Sequence, residues 1–90
     1  MPKLIIGTQE YTFSHYASIG RASKCTISFA DDIKLSRVHC EIIQDDEDFI
    51  LIDLHSQNGT QLNGKAITER ILKSGDIITL GKASLTFQKS

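Results

Sequence analysis

Short apolar stretches alternate with polar turns along the whole chain, and none keeps a 3.6-residue apolar period for three turns. An amphipathic helix needs that period, whereas strands need alternation or short apolar runs. The pattern therefore predicts strands and requires no helix. The predicted strands are residues 3–6, 11–14, 17–21, 26–29, 38–43, 49–54, 60–62, 65–67, 70–72, 77–80 and 83–87. Many short strands at this spacing are typical of an all-β sandwich or barrel.

Polar segments between these runs predict tight connections. Residues 7–10 and 44–48 are expected to be turns, and the second is too charged to be anything but a hairpin loop. In the strand predicted over 38–43, Val38, Cys40 and Ile42 are expected to share one face, because side chains alternate along a strand. The sequence therefore predicts hairpins before and after residues 22–35, a segment that shows no sustained apolar period.

Two Asn-Gly dipeptides, Asn58-Gly59 and Asn63-Gly64, lie five residues apart. Asn-Gly is the strongest short-range turn signal, since both residues tolerate positive φ. They leave room for only one short strand, Thr60–Leu62, between two loops. Loops on a rigid scaffold are where binding groups concentrate.

Composition limits the chain to one small domain, residues 1–90, with 40% hydrophobic residues. No apolar run is long enough to span a membrane. The first seven residues are too short and too soon polar for a signal peptide. Without such a signal, Cys25 and Cys40 are expected to be free thiols in a reducing cytoplasm, or in the nucleus if the source is eukaryotic.

The charge distribution is more informative than the net charge of −1. Residues 41–53 hold six acids and no cation, whereas residues 20–39 hold four cations against two acids. One end of the domain is therefore expected to suit an anionic ligand, and a solvated surface of mixed charge is the alternative. The low net charge and the few aromatic residues argue against a nucleic-acid reader.

Four short motifs stand out in series on this all-β background: Gly20-Arg21, Ser36-Arg37-Val38-His39, Ser56-Gln57-Asn58-Gly59-Thr60 and Asn63-Gly64. Together they resemble the signature of the forkhead-associated (FHA) domain, over about residues 19–80. The resemblance implies a β-sandwich of about eleven short, mainly antiparallel strands in two sheets. It also implies loops at one end that bind phosphothreonine in a partner protein of a Ser/Thr-kinase pathway.

The chemistry of these residues agrees with a phosphate reader. A phosphate monoester carries about −1.5 to −2 charge and three strong acceptor oxygens. Arg21 offers a planar guanidinium after the small Gly20, Ser36 offers a hydroxyl, and Arg37 offers a backbone N–H and a second guanidinium. By resemblance, Arg21 and Ser36 are the phosphate ligands, and Arg37 makes a further phosphate contact. Asn58 is the asparagine that binds the partner's main chain.

Three further residues are expected to contact the peptide. Lys34 and Arg37 predict a preference for acidic residues near the phosphothreonine. Gln57 stands where many family members have threonine, a departure that bears on the preference for threonine over serine. Asn63, in the second Asn-Gly turn, is expected to line the groove for residues that follow the phosphothreonine.

Five residues are expected to support the site without contacting the ligand: Gly20, His39, Gly59, Thr60 and Gly64. By resemblance, His39 braces the binding loops by hydrogen bonding, and it is placed on the face of Arg37 near the core boundary. Gly59 and Gly64 meet the backbone requirements of turns. The Thr60 hydroxyl is expected to cap its turn.

Other function classes fit the residues poorly. An enzyme would pair Ser36 or Cys40 with His39 or His55, but Ser36 and His39 are expected on opposite faces of a strand and no nucleophile elbow is present. A metal site from the cysteines and histidines lacks ligand spacing, so no metal or cofactor is expected. An FHA-fold scaffold that binds a partner without phosphate remains the alternative. The pattern leaves the oligomeric state open, with Phe29, Ile33 and Leu35 as candidates for pairing.

Overall fold

The computed structural model describes residues 1–90 and contains eleven strands and no helix, which confirms the predicted fold class. No helix long and apolar enough to cross a membrane is present. The strands are β1 (Lys3–Ile6), β2 (Gln9–Thr12), β3 (Tyr16–Gly20), β4 (Ile27–Ser28), β5 (Cys40–Asp45), β6 (Asp48–Asp53), β7 (Thr60–Leu62), β8 (Lys65–Ile67), β9 (Glu69–Ile71), β10 (Ile77–Leu80) and β11 (Ala83–Gln88).

The strands form two sheets that pack face to face. One sheet has six strands in the order β2-β1-β11-β10-β7-β8, and the other has five in the order β4-β3-β5-β6-β9. Every pair is antiparallel except β3–β4, which is parallel. Alternate residues of each strand face the space between the sheets, because successive side chains point to opposite faces.

The core between the sheets is formed by sixteen buried apolar residues. At one point three aromatic rings meet: Phe49 packs edge-to-face on Phe13, with ring centroids 5.9 Å apart, and tilted on Phe87 at 5.8 Å. Such aromatic pairs contribute about 0.5–1.5 kcal/mol beyond the area that they bury. The core therefore fixes the sheets as a rigid support for their loops.

Several predicted boundaries differ from the structure by one or two residues. Strand β2 spans Gln9–Thr12 and not residues 11–14, so Gln9 and Glu10 of the predicted turn lie in a strand. Strand β5 begins at Cys40 and not at Val38, and Val38 is half-buried in a loop. The reason is that the carbonyls of Ser36 and Arg37 accept hydrogen bonds from the loop after β3, from Arg21 and Ala22, instead of pairing with a strand. The acidic hairpin has a turn of only two residues, since Asp45 pairs with Asp48.

The two ends of the sandwich are chemically different. The register of β5 sets Cys40 beside Ile19 and Asp53, so the end of β3, the start of β5 and the end of β6 lie together. The tip of the acidic hairpin lies at the opposite end, six residues along β5. Asp45, Asp46, Glu47 and Asp48 therefore lie at the far end from the start of β5, whereas Glu41 and Asp53 lie near the end where β3 finishes.

Candidate functional site

Three loops meet at the end of the sandwich where β3 and β6 finish. They are residues 21–26 after β3, residues 29–39 before β5, and residues 54–59 before β7, and we call them the site loops. The first two are in backbone contact, because the Arg21 N–H donates to the Ser36 carbonyl at 3.1 Å.

Gly20 permits this close approach of the first two loops. A Cβ at Gly20 would lie 2.4 Å from the Arg37 carbonyl oxygen and 2.9 Å from the His39 nitrogen. Both are backbone atoms and cannot move aside like the end of a flexible side chain. Any larger residue at position 20 would therefore push the Ser36 segment away from Arg21.

His39 joins the second site loop to the third. It is fully buried. Its Nδ1 accepts a hydrogen bond from the Ser36 N–H at 3.0 Å, and its Nε2 donates to the Gly59 carbonyl at 2.8 Å. The backbone partners thus select the neutral Nε2–H tautomer. The predicted place on the face of Arg37 is wrong, because residues 36–39 are not a strand and Arg37 is exposed.

The carboxylate of Asp53, at the end of β6, fixes the conformation of the third site loop. Asp53 Oδ1 accepts from the hydroxyls of Ser56 and Thr60, the latter at 2.7 Å, and Oδ2 accepts from the Ser56 N–H at 3.1 Å. The Ser56 hydroxyl in turn accepts from the Gly59 N–H at 3.0 Å. We call these residues, Asp53, Ser56 and Thr60, the Asp53 network.

The environment of Asp53 favours its ionised form. Burial alone would raise the pKa of Asp53, but the hydrogen bonds from Ser56 and Thr60 outweigh burial and hold it below its ordinary value. The Thr60 hydroxyl therefore binds a carboxylate and does not cap the turn backbone as predicted. Asp53 and Ser56 were missed as support residues, although Asp and Ser side chains next to turns commonly bond to nearby backbone groups.

Ser36 and Arg21 present polar hydrogens that the fold does not use. The Ser36 hydroxyl accepts from the Gln57 N–H at 3.0 Å, which leaves its own proton free to be donated. Arg21 Nε donates to the Leu35 carbonyl at 3.2 Å, so the guanidinium is anchored while both terminal nitrogens stay unpaired. The Arg37 backbone N–H also makes no hydrogen bond within the chain.

Asn58 closes the site on its other side. Its Nδ2 donates to the Lys34 carbonyl at 2.7 Å, which leaves the amide oxygen and one hydrogen free. Beyond this bond lies a shallow groove of about 280 Å³. Its lining residues are Lys34, Asn58, Gly59, Gln61, Thr79, Leu80 and Gly81. Gln61 and Thr79 were missed in the sequence, where only their outward positions on strands could have indicated them.

Asp32 fixes the position of Lys34. Its Oδ1 accepts from the Lys34 N–H at 3.0 Å and its Oδ2 accepts from the Lys82 N–H at 2.8 Å. These backbone hydrogen bonds, that from Lys82 foremost, lower the pKa of Asp32. Asp32 and Asp53 are thus occupied by internal donors, and Asp31 is the one other carboxylate on the site loops, which also carry the cations Arg21, Lys24, Lys34 and Arg37.

Asn63 lies away from the site. It follows β7, whose three residues span about 10 Å, on the far side from Asn58. Its Nδ2 donates to Asp76 at 3.0 Å and its Oδ1 accepts from the Ile77 N–H at 2.9 Å. The structure therefore does not bring Asn63 into the groove where it was predicted.

The arrangements expected of an enzyme or a metal site are not found. Both ring nitrogens of His39 are occupied by backbone groups, although Ser36 lies against it and not on an opposite face. Burial raises the pKa of the Cys40 thiol to about 12, so it stays protonated at neutral pH. No group of three His, Cys, Asp or Glu side chains is placed to hold a metal ion.

Of the three residues considered for association between copies of the chain, only Ile33 is exposed. Leu35 is buried in the core, and Phe29 is half-buried against it. Ile33 is 88% exposed next to Lys34. A single exposed side chain on a loop is common on protein surfaces and does not define an interface.

Comparison with known proteins adds a family to this geometry. A model of the FHA domain family matches residues 17–81. The oxoglutarate dehydrogenase inhibitor of Corynebacterium diphtheriae is 39% identical to this chain over 59 residues, which cover 66% of this chain and 41% of the relative. The chain thus spans less than half the length of the curated relatives that it matches.

Solved structures agree over nearly the whole chain. An FHA domain from a study of phosphothreonine-dependent FHA domain interactions superposes with a TM-score of 0.87 at 30% identity, covering 97% of this chain and 94% of that one. EmbR of Mycobacterium tuberculosis, solved in complex with a low-affinity phosphopeptide, superposes with a TM-score of 0.93 at 27% identity, covering 99% of this chain and 24% of EmbR.

Proposed function

Because the chain belongs to the FHA domain family, we propose that it is a phosphothreonine-dependent peptide-binding module. Its partners are proteins phosphorylated by Ser/Thr kinases, and its role is that of a signalling adaptor and not of an enzyme. The family, the phosphothreonine-dependent interactions studied for one structural neighbour and the phosphopeptide complex of EmbR support this class of ligand. The two unpaired, buried cysteines fit a cytoplasmic location.

One observation carries the proposal: two of the site loops, which are in backbone contact, carry donors that the fold leaves unused. The anchored Arg21 guanidinium, the free Ser36 proton and the free Arg37 N–H all lie on two loops that are in backbone contact. A dianionic phosphate with three acceptor oxygens matches such a set, since charge-assisted hydrogen bonds are the strong ones. Arg21 and Ser36 are therefore the proposed phosphate ligands, with Arg37 as a third.

Asn58 and Lys34 take the proposed role of holding the peptide beyond the phosphate. The free oxygen and hydrogen of the Asn58 amide can pair with one peptide unit of the partner's main chain. Lys34 lines the adjacent groove, whereas Arg37 does not, and on this basis Lys34 is proposed to contact residues that follow the phosphothreonine. Gln57 uses its backbone N–H on Ser36 and exposes its side chain, which remains available to the ligand.

Calorimetric titration with a degenerate phosphothreonine peptide pool, beside phosphoserine and unphosphorylated pools, tests the proposal. We expect micromolar binding of the phosphothreonine pool alone. Arg21→Ala should remove at least about 1.5–3 kcal/mol, or tenfold or more in affinity, because a charge-assisted contact is lost. Arg21→Lys, which keeps the charge but not the fork, should recover only part of it. Arg70→Ala is the matched control, since Arg70 is exposed on the distant β9.

Two results would contradict the proposal in different ways. If no pool binds, the chain is an FHA-fold scaffold that acts without phosphate. If Arg21→Ala unfolds the protein, as judged by its amide spectrum, Arg21 is structural and the site assignment fails. Equal loss of affinity in Arg70→Ala would show that only the overall charge matters.

A second titration addresses the sequence preference. Peptides with Asp at the third position after the phosphothreonine should bind better than peptides with Lys, by roughly two- to fivefold, because exposed ion pairs contribute about 0.2–1 kcal/mol. Lys34→Glu should reverse the order, whereas Lys65→Glu, on the edge strand β8, should leave it unchanged. Equal binding of both peptides by the unaltered protein would exclude this role of Lys34.

A further inference from the structure

An unbroken apolar row crosses the outer face of the five-stranded sheet. Tyr16 pairs with Ile43, Ile43 pairs with Ile50, and Ile50 pairs with Ile71, so one residue from each of β3, β5, β6 and β9 lies in line. Tyr16 is 44% exposed and Ile71 is 54% exposed, with the two other isoleucines half-buried between them. We call these four residues the apolar row.

The core does not account for this row. In β6 the core takes Phe49 and Leu51, and the two isoleucines beside them, Ile50 and Ile52, face outward. Antiparallel sheets with one wet face usually alternate apolar and polar residues. The outer face of the six-stranded sheet follows that rule more closely: around Ile5 and Ile77 its paired outward residues are Glu10, Lys3, Thr12, Gln88, Thr86, Ser84, Thr79 and Gln61.

Acidic side chains border the apolar row on both sides. The next pair toward the hairpin tip is Asp45 with Asp48, and the next pairs toward the site loops place Glu41 and Glu69 on either side of Ile52. Cations are fewer here: Arg70 bonds to the Glu69 carbonyl at the β9 edge, and Lys73 follows two residues after Ile71. The face as a whole is apolar in the middle and negative along its borders.

From this face we infer a docking site for a cationic amphipathic helix of a partner protein. The apolar row runs across the strands, so its side chains repeat about every 4.8 Å and span about 14 Å. One face of a helix repeats about every 5.4 Å, and three turns cover that span, with Lys and Arg on both flanks above the acidic borders. Alternate residues of an extended segment are about 6.6–6.8 Å apart and do not match.

Charge decides against a second copy of the chain as the occupant. Two such faces brought together would oppose acidic borders to acidic borders, which is repulsive in an interface that excludes water. The site is independent of the proposed phosphothreonine pocket, since Ile43 lies three residues along β5 from Cys40, about 10 Å from the site loops. Both surfaces can therefore be occupied together.

Titration of the isotope-labelled chain with three unphosphorylated 18-residue peptides tests the inference. The first has a Leu/Ile stripe at helical spacing with Lys flanks, the second has the same stripe with Glu flanks, and the third has Lys flanks with a Ser stripe. We expect saturable shifts of the amide signals of β5, β6 and β9 with the first peptide only. A saturating phosphothreonine peptide should not displace it.

The matched variants are Ile71→Lys and Ile77→Lys. Both replace a half-exposed isoleucine by lysine, at 54% and 45% exposure, but Ile77 lies on the other sheet. Ile71→Lys should weaken binding of the first peptide at least tenfold, and Ile77→Lys should leave it unchanged. If Ile71→Lys fails to fold, Ile71→Thr replaces it.

Each contrary result overturns the inference. Equal binding of the Glu-flanked peptide would refute the charge argument, and equal binding of the Ser-striped peptide would refute the apolar row. Shifts confined to the site loops would move the contact to the phosphate pocket. Concentration-dependent broadening of these strands without peptide would identify a second copy as the occupant. Because none of the three 18-residue peptides is phosphorylated, their binding results are separate from any failure of the proposed function.

Discussion

The two Asn-Gly turns that flank β7 are alike in sequence and different in use. Asn63 has a φ of 52° and Gly64 a φ of 86°, so both residues of the second turn are in the left-handed region that a two-residue hairpin requires. In the first turn only Gly59 has positive φ, at 82°, and Asn58 does not. The second turn is thus a hairpin connection, and the first belongs to a longer loop.

Their side chains differ in the same way. Both polar side-chain atoms of Asn63 are bonded, one to Asp76 and the other to Ile77 at the start of β10, which leaves only one hydrogen free. Asn58 makes one bond, to Lys34, and keeps its oxygen and a hydrogen for a ligand. The dipeptide therefore predicts a turn, and the residues around it decide whether its asparagine stabilises the fold or faces a ligand.

The largest effect on stability is expected from replacing His39, which bonds to the first Asn-Gly turn and not to the second. His39→Ala leaves the Ser36 N–H and the Gly59 carbonyl without their partner and opens a cavity, at a cost of about 3–5 kcal/mol. Asp76→Ala, which releases the second turn, should cost only about 1 kcal/mol because the lost bonds are exposed. Urea unfolding measures both.

Similar losses in the two variants would contradict the contrast in support. His39→Gln, which keeps a donor for the Gly59 carbonyl, should fall between His39→Ala and the unaltered protein. If His39→Ala lowers the free energy of unfolding no more than Asp76→Ala does, the buried imidazole does not hold the two site loops together.

Alanine at each asparagine sharpens the comparison directly. Asn58→Ala should weaken phosphothreonine-peptide binding about tenfold, since about 1.4 kcal/mol of contact to the partner's main chain is lost, with little change in unfolding free energy. Asn63→Ala should leave binding unchanged and destabilise the fold by about 1–2 kcal/mol, through two lost hydrogen bonds and a strained φ. Calorimetry and urea unfolding on the same samples separate the two effects.

The reverse outcome would restore the sequence-based prediction for Asn63. If Asn63→Ala weakened binding as much as Asn58→Ala, the groove would extend to the second turn. If both variants lost only stability, neither asparagine would contact the ligand.

The contrast also marks how far the sequence alone could predict the molecule. Alternation and turn signals predicted all eleven strands to within two residues, because local pattern and turn chemistry determine them. The motif series indicated Arg21, Ser36 and Asn58, which the structure brings to one end of the sandwich. Both the strands and these three residues are marked by patterns of a few neighbouring residues in the sequence.

The remainder depends on contacts distant in the chain. Nothing near Asn63 indicates that Asp76, thirteen residues later, binds it. The burial of His39 follows from Gly20 and Gly59, which approach it from the end of β3 and from the third site loop. The apolar row exists only through the register of four strands, so the sequence shows its members as ordinary strand residues.

The smallest expected effect is the pH dependence of the first turn, which the Asp53 network supports. The hydrogen bonds from Ser56 and Thr60 hold the pKa of Asp53 below its ordinary value despite burial. A carboxyl with a depressed folded-state pKa contributes stability that is fully present above its unfolded pKa, about 3.9, and is lost as pH falls through the folded value. Melting temperature should therefore begin to fall below about pH 4.

In Thr60→Val, which removes one donor, part of that fall should already be present at pH 7, and the remaining acid dependence should be shallower. Lys65→Glu, on the exposed β8, controls for the general effect of charge. An acid dependence equally steep in Thr60→Val would mean that the Asp53 network does not stabilise the loop, leaving His39 as the main support of the first turn.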